Sequence, residues 1–327
     1  RINALKSSFT VEDVYERAEA TLRKCISHGT THMRTHVEVD SNGGMVGFEA
    51  LEQLAKDYAK AIDLDLCVFA QEGMTQDPVT DANVVAGLER KAPVIGGAPR
   101  YDPDGPGQIR RVFELAREFD VDIDFHLDVG PSAEVLDVLL VCELTEEMGW
   151  GGRVAVGHAT KYAALPPDPL AKLGQRLRDA GVTVTVLPAT DLFIMGRELD
   201  HNIVRGVTDA HALSRCGVNC CLSTNNILNP ITPFGDGSMV RIAGLYANII
   251  QRGTPEELTE CFEMISHRPA QLVGQNDHAL ETGNPADIIV WDAVSKADAV
   301  SKVSHPRMGF KNGRRTFTRA EVELHIP

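Results

Sequence analysis

His126 closes the run VDIDFH and His158 closes VAVGH, so two imidazoles stand at the ends of two separate apolar segments of extended character. Placed together, such a pair can hold a divalent metal ion, or one ring can bind it while the other takes a proton from an attacking water. Two hydrogen-bonded core histidines are the plain alternative. His36, in MRTHVEVD, is either a third polar group of this kind or an anchor for a loop. Gln71 and Glu72 follow LCVFA and could bond a planar polar ligand or simply form a loop. Arg205 and Gly206 lie in the loop after VTVTVLP, where an arginine meets substrate or solvent. Asn225 and Asn226, in STNNILNP, either shape a turn or occupy a place where carboxylates would do chemistry. His201, His211, His267, His278, His305 and His325 read as surface or structural residues.

These groups need elements to position them, and the chain supplies an alternation. TVEDVYERAEATLRKCISHG begins with Thr10 as N-cap, has Asp13 three residues on, repeats apolar residues at helical spacing and stops at Gly29. THMRTHVEVD then alternates as a strand does. Further helices are expected at GFEALEQLAKDYAKAI, within 81–91, and at GQIRRVFELAREF, SAEVLDVLLVCELTEEMG, DPLAKLGQRLRDAG and DAHALSRCG. Between them fall the strands DLDLCVFA, APVIGGAP, VDIDFHLD, RVAVGHA, VTVTVLP and VNCCLST.

Strands alternating with helices imply parallel pairing through crossover helices. Nearly every strand is followed by chemically rich residues (QEG, RYDPDG, HLD, HAT, TDL, NN), which a barrel mouth explains better than the single crevice of an open sheet. Helices follow near 236–252 and at TPEELTECFEMIS, where Thr254, Pro255 and Glu257 make a full start signal. The tail from 279 onward reads as short strands with turns at Gly-Asn-Pro and Asn-Gly.

Composition narrows the function classes. A formal net charge of −14 without a basic run disfavours nucleic acid and anionic membrane as partners. The seven cysteines are scattered without CxxC spacing, which argues against a disulfide framework or a thiolate zinc site. No apolar run reaches the roughly 20 residues of a membrane span. A soluble cytoplasmic protein with a small-molecule substrate is expected, and the exposed helices of a barrel make a homo-oligomer plausible.

In this order the pieces resemble the amidohydrolase superfamily, and within it the cytosine deaminase and N-isopropylammelide amidohydrolase group. The resemblance rests on HGTTHMRTHVEVD, FAQEG, DIDFHLD, GHAT, MGRELDHNIVRGV, NILNPITPFGDGSM and GNPADIIVWDA. It implies a (β/α)8 TIM-like barrel and one divalent metal ion, zinc or iron. That ion would be held by a His-x-His pair on the first strand, a histidine on the fifth and an aspartate on the eighth. It implies His126 as the fifth-strand ligand, His158 as the histidine touching the attacking water, Gln71 as the group reading the ring's amide edge, and Arg205 and Gly206 as a loop near substrate.

The chain departs from that pattern in three places. Val129 stands where the deaminases carry a proton-shuttling glutamate, Asn225 and Asn226 stand where two aspartates would, and no His-x-His occurs. The expected site is therefore His158, Asn225 and Asp128 for catalysis, Gln71, Arg205 and Asn226 for substrate, and His126 with Asn225 for metal. Seven strands before the final helices lead to the expectation of a barrel domain over 1–278 lacking its first strand, which would lie further toward the N-terminus. The expected second domain, 279–327, is part of a small β-sandwich. The function expected is metal-assisted hydrolysis of a C–N bond in a small nitrogen heterocycle or cyclic amide, with an altered metal shell. The alternatives are a catalytically silent binding protein and a metal-independent lyase or hydratase.

Overall fold

The computed structural model describes residues 5–275 and 278–325. Seven strands form one parallel sheet in the order of the chain: β1 His32–Glu38, β2 Asp63–Ala70, β3 Val94–Gly97, β4 Asp122–Leu127, β5 Val154–His158, β6 Val182–Val186 and β7 Cys220–Leu222. The order never reverses, as it would at the switch point of a doubly wound sheet, so each strand lies beside its predecessor as in a barrel. The sheet curls: Arg34 of β1 reaches Asp122 and Asp124 of β4, three strands away, at 3.4 and 3.2 Å. All seven expected strands are present, because runs such as the buried VAVGH are apolar on both faces, the mark of parallel strands covered by helices.

The crossover helices cover the outside with one apolar stripe each. The helix Gly105–Phe119, for example, buries Ile109, Val112, Phe113, Leu115 and Ala116, and these join the sheet residues in one continuous core. Strands β3 and β4 approach closely at Gly96. A Cβ on Gly96 would lie 1.9 Å from the Asp124 carbonyl oxygen, so only glycine allows that approach. Helix starts follow the sequence signals: Thr10 accepts from the Asp13 amide at 3.2 Å, and Thr254 with Glu257 forms a capping box. The helix expected from Ser132 begins only at Val138. The short helices Pro188–Ile194, His267–Leu272 and Lys296–Ser301 escape the sequence reading, being six or seven residues long and too short to display a period.

The tail forms one antiparallel sheet of three strands, β8 Ile288–Trp291, β9 Pro306–Lys311 and β10 Arg314–Thr318. Lys311, 3% exposed in its side chain, ties this sheet to the lower end of β2 through Asp63 and binds Asp287 as well. At the opposite end Lys6 lies over the mouth. Its ammonium sits 2.6 Å from Glu38, 2.6 Å from Glu72 and 3.6 Å from Asp40, strapping the N-terminal segment to the ends of β1 and β2. Burial pulls the Lys6 pKa down, and the three carboxylates override it and raise it.

Lys311→Met leaves Asp287, 10% exposed in its side chain, without a counter-ion, and is expected to lower stability by about 2 kcal/mol, somewhat less than for a fully buried pair. An unchanged urea midpoint would contradict that role. A second expectation concerns Asp40, whose carboxyl is pushed up to about 6 by burial, against the pull of the Glu72 amide and Lys6. The folded value exceeds the unfolded one, so the contribution is fully present below about pH 4 and lost as pH rises through about 6. The melting temperature of Asp40→Asn should therefore climb relative to wild type between about pH 4 and about pH 7. A flat difference across that window would rule the assignment out.

Candidate active site

The upper ends of β1, β2, β4, β5 and β7 open on one part of a cavity of about 2150 Å³, which also extends past the helix Val11–Ser27 and the C-terminal sheet; His36, Gln71, His126, His158, Asn225 and Asn226 line the part at the strand ends. At its centre is His158, the last residue of β5, with φ +74° followed by Ala159 at +56°. Left-handed backbone costs a non-glycine residue roughly 1–2 kcal/mol, so something must hold it. Asp191 does: its Oδ1 lies 2.7 Å from His158 Nδ1, and its Oδ2 accepts from the Leu187 amide at 3.2 Å. Asp191 is fully buried on the helix Pro188–Ile194. Burial pushes its carboxyl up, while His158 pulls it back. A carboxylate accepting at Nδ1 fixes the proton there and leaves the Nε2 lone pair facing the cavity. Asn225 Nδ2 lies 3.5 Å from that Nε2, the long limit of a hydrogen bond.

His126 stands beside it, the ring centroids 4.8 Å apart and perpendicular. Its ring is walled by His36 at 4.5 Å and Phe69 at 4.8 Å. Gly157, paired with His126 across β4 and β5, leaves room for it: a Cβ there would come within 3.3 Å of the ring. Burial, then the neighbouring His36 and His158, hold His126 well below the usual histidine range. It is thus a neutral imidazole, and its nitrogens make no hydrogen bond to the described residues. Below lies a charged floor. His36 Nε2 is 3.4 Å from Asp124, which also binds Arg34. Burial pushes the Asp124 carboxyl up, but His36 and Arg34 prevail and lower it.

The other expected residues divide. Gln71 and Asn226 line the cavity, whereas Glu72 is engaged by Lys6 and by the Asp40 carboxylate, which accepts from the Glu72 amide at 2.7 Å. Asp128 is not brought to the others. Its backbone turns at φ +53°, and its carboxylate accepts from the amides of Asp137 and Val138 at 2.9 and 3.3 Å and from the Tyr162 hydroxyl at 3.1 Å. It clamps the loops after β4 and β5 instead of facing the cavity. Arg205 is exposed, lies outside the lining and donates to the Leu192 carbonyl at 3.2 Å. Val129 does line the cavity and offers no acid. Asp191 is not among the residues expected from the sequence; the polar TDL that follows VTVTVLP is its only local signal.

Metal fit follows from donor chemistry. His126, neutral and free of hydrogen bonds to the described residues, suits a ligand, and Asn225, which lines the same cavity with its Nδ2 toward His158, carries an uncharged amide oxygen. No group of three His, Cys, Asp or Glu side chains converges among the described residues. The residues present fit two neutral positions of a metal shell and no anionic one.

The amidohydrolase family profile matches residues 5–317. The N-isopropylammelide isopropyl amidohydrolase of a Pseudomonas species is 28% identical over 294 residues, covering 88% of this chain and 69% of that protein. A pterin deaminase of Rhizobium rhizogenes is 23% identical over 311 residues, covering 94% and 71%. The structure of 5-methylcytosine deaminase from Klebsiella pneumoniae with 5-fluorocytosine superposes with a TM-score of 0.93 at 25% identity, covering 98% of this chain and 79% of that one. With a curled parallel sheet, strand-end histidines and a profile that runs nearly end to end, the chain belongs to the amidohydrolase family, a family of enzymes that hydrolyse carbon–nitrogen bonds.

Proposed function

We propose that this protein hydrolyses a C–N bond of a small nitrogen heterocycle or cyclic amide at the cavity between His126 and His158. The observation that carries this is the line Asp191–His158–Asn225, which aims an imidazole lone pair at the space beside a neutral His126. The named relatives support the substrate class, since they act on an ammelide, a pterin and a methylated cytosine.

In this reading His158 Nε2 takes the proton of the attacking water, and Asp191 steadies the imidazolium that forms. The same proton then goes to the departing nitrogen, because Val129 supplies no acid and Asn225 cannot carry a proton. Asn225 orients the water through its amide, while Gln71 and Asn226 offer donor and acceptor atoms to the ring's amide edge. His126 and Asn225 would hold a divalent ion, zinc or iron. Such an ion, when bound, lowers the pKa of coordinated water toward about 7. The altered shell, an amide where an acid would stand, predicts weaker metal retention than a carboxylate would give. We also infer that the eighth barrel position lies between β1 and β7, whose outer edges pair with no strand among the described residues.

A second reading, a binding protein that keeps the cavity without turnover, is favoured by the neutral Val129 and Asn225. Assay of amine or ammonia release from N-isopropylammelide, pterin and 5-methylcytosine by metal-supplemented protein separates the two. Turnover of at least one compound is expected, with His158→Ala reducing kcat by roughly 10³-fold. Binding with no turnover of any compound would establish the second reading. Asn225→Asp is expected to tighten zinc at least about tenfold by adding a charged ligand. Unchanged zinc affinity would place Asn225 outside the coordination shell.

A further inference from the structure

Arg100 stands on the turn Pro99–Tyr101, directly after β3, and faces the same cavity. The turn has a rigid base. Asp102 accepts from the amides of Met74 at 2.7 Å, Thr75 at 3.1 Å and Asp104 at 2.9 Å, and from the Thr75 hydroxyl, which locks the loop after β3 to the one that carries Gln71. Gly73, at φ +106°, makes room for that contact, since a Cβ there would lie 3.0 Å from the Asp102 Cα.

From this base Arg100 Nη1 donates to the Val129 carbonyl at 3.1 Å, which brings the guanidinium beside the residue that replaces an acid. One N–H is used there, and the rest of the fork points at no carboxylate among the described residues. Most other cations lining the cavity are already neutralised: Lys6 by three carboxylates, Arg34 by Asp122 and Asp124, Lys311 by Asp63 and Asp287, Arg17 by Asp13 and Lys296 by Glu263; Lys24, without such a partner among the described residues, stands in the last turn of the helix Val11–Ser27 and not at the strand ends. An exposed arginine can be content with water, so its lack of a partner is not by itself informative. The surroundings make it so, because the side chains of Val129, Asn225 and Asn226 bring no charge to the cavity, and the nearby acid Glu72 is bound to Lys6. Tyr101, 58% exposed, adds an aromatic face beside the guanidinium.

We propose that Arg100 is a specificity-determining residue that binds a carboxylate carried on the heterocycle, so that the preferred substrates are heterocyclic carboxylates and not the uncharged parent rings. A planar guanidinium pairs two of its donors with the two oxygens of a carboxylate, and the protein provides no competing anion at that position. The inference rests on the cavity being the heterocycle site proposed above.

The test is a comparison of dissociation constants for two matched pairs, pterin against pterin-6-carboxylate and uracil against orotate. Each is measured on the full chain, on Arg100→Gln and on Arg100→Lys, with acetate as a control for a free carboxylate. The wild type should bind the carboxylate of at least one pair roughly tenfold more tightly than its parent ring, as a charge-assisted contact gives. That ratio should fall to near one in Arg100→Gln and recover in part in Arg100→Lys, and acetate in excess should weaken only the carboxylate rings, not their uncharged parents. Equal binding within both pairs by the wild type, or a preference that survives in Arg100→Gln, would overturn the inference while leaving the cavity as a heterocycle site. Failure of all four rings to bind would overturn the heterocycle reading and this inference with it.

Discussion

An ion pair inside the barrel sets the frame for everything above it. Arg34 of β1 crosses to Asp122 and Asp124 of β4, and Asp124 in turn contacts His36. Such charges lose their hydration on burial, and the loss is offset only when their partners are well placed. The network therefore fixes how β1 and β4 face each other more than it adds net stability. His126 stands on β4 two residues above Asp124, walled by His36 and Phe69, so its position follows from that register. Had the pair been replaced by aliphatic side chains, the curl could persist while the two strands lost their fixed relation.

On this floor the proposed chemistry falls to neutral groups steered by buried charge. Asp191 orients His158 from behind, leaving a lone pair toward the cavity, and burial keeps His126 uncharged. The acids near the mouth are paired elsewhere: Glu38, Asp40 and Glu72 surround Lys6, and Asp128 clamps the start of the helix Val138–Met148. In the proposed mechanism one imidazole, that of His158, moves protons in both directions, and the Arg100 guanidinium beside Val129 pairs with no carboxylate among the described residues.

Much of the fold was legible because it is written in local periods. Doubly covered strands such as VAVGH are continuous apolar runs, and long helices such as Gly105–Phe119 repeat every three or four residues. The strand-end positions of His126, His158, Gln71 and Asn225 followed from the same reading. What escaped depends on contacts distant in sequence. The helix expected from Ser132 starts later because the Asp128 carboxylate caps the amides of Asp137 and Val138, a tertiary cap with no spacing signal. Asp128 itself looked like a strand-end acid until its left-handed turn sent it away. Asp191 sits in a helix of seven residues, too short to announce itself, and its partner is 33 residues away.

The proposed chemistry depends on His158 being held in one tautomer by Asp191, with Nε2 free toward the cavity. Nitrogen-15 NMR of the histidine side chains reads this directly. The account predicts that, near neutral pH, His158 carries its proton on Nδ1 with an unprotonated Nε2, and that Asp191→Asn changes this pattern. A His158 protonated at Nε2, or a pattern indifferent to Asp191→Asn, would contradict it.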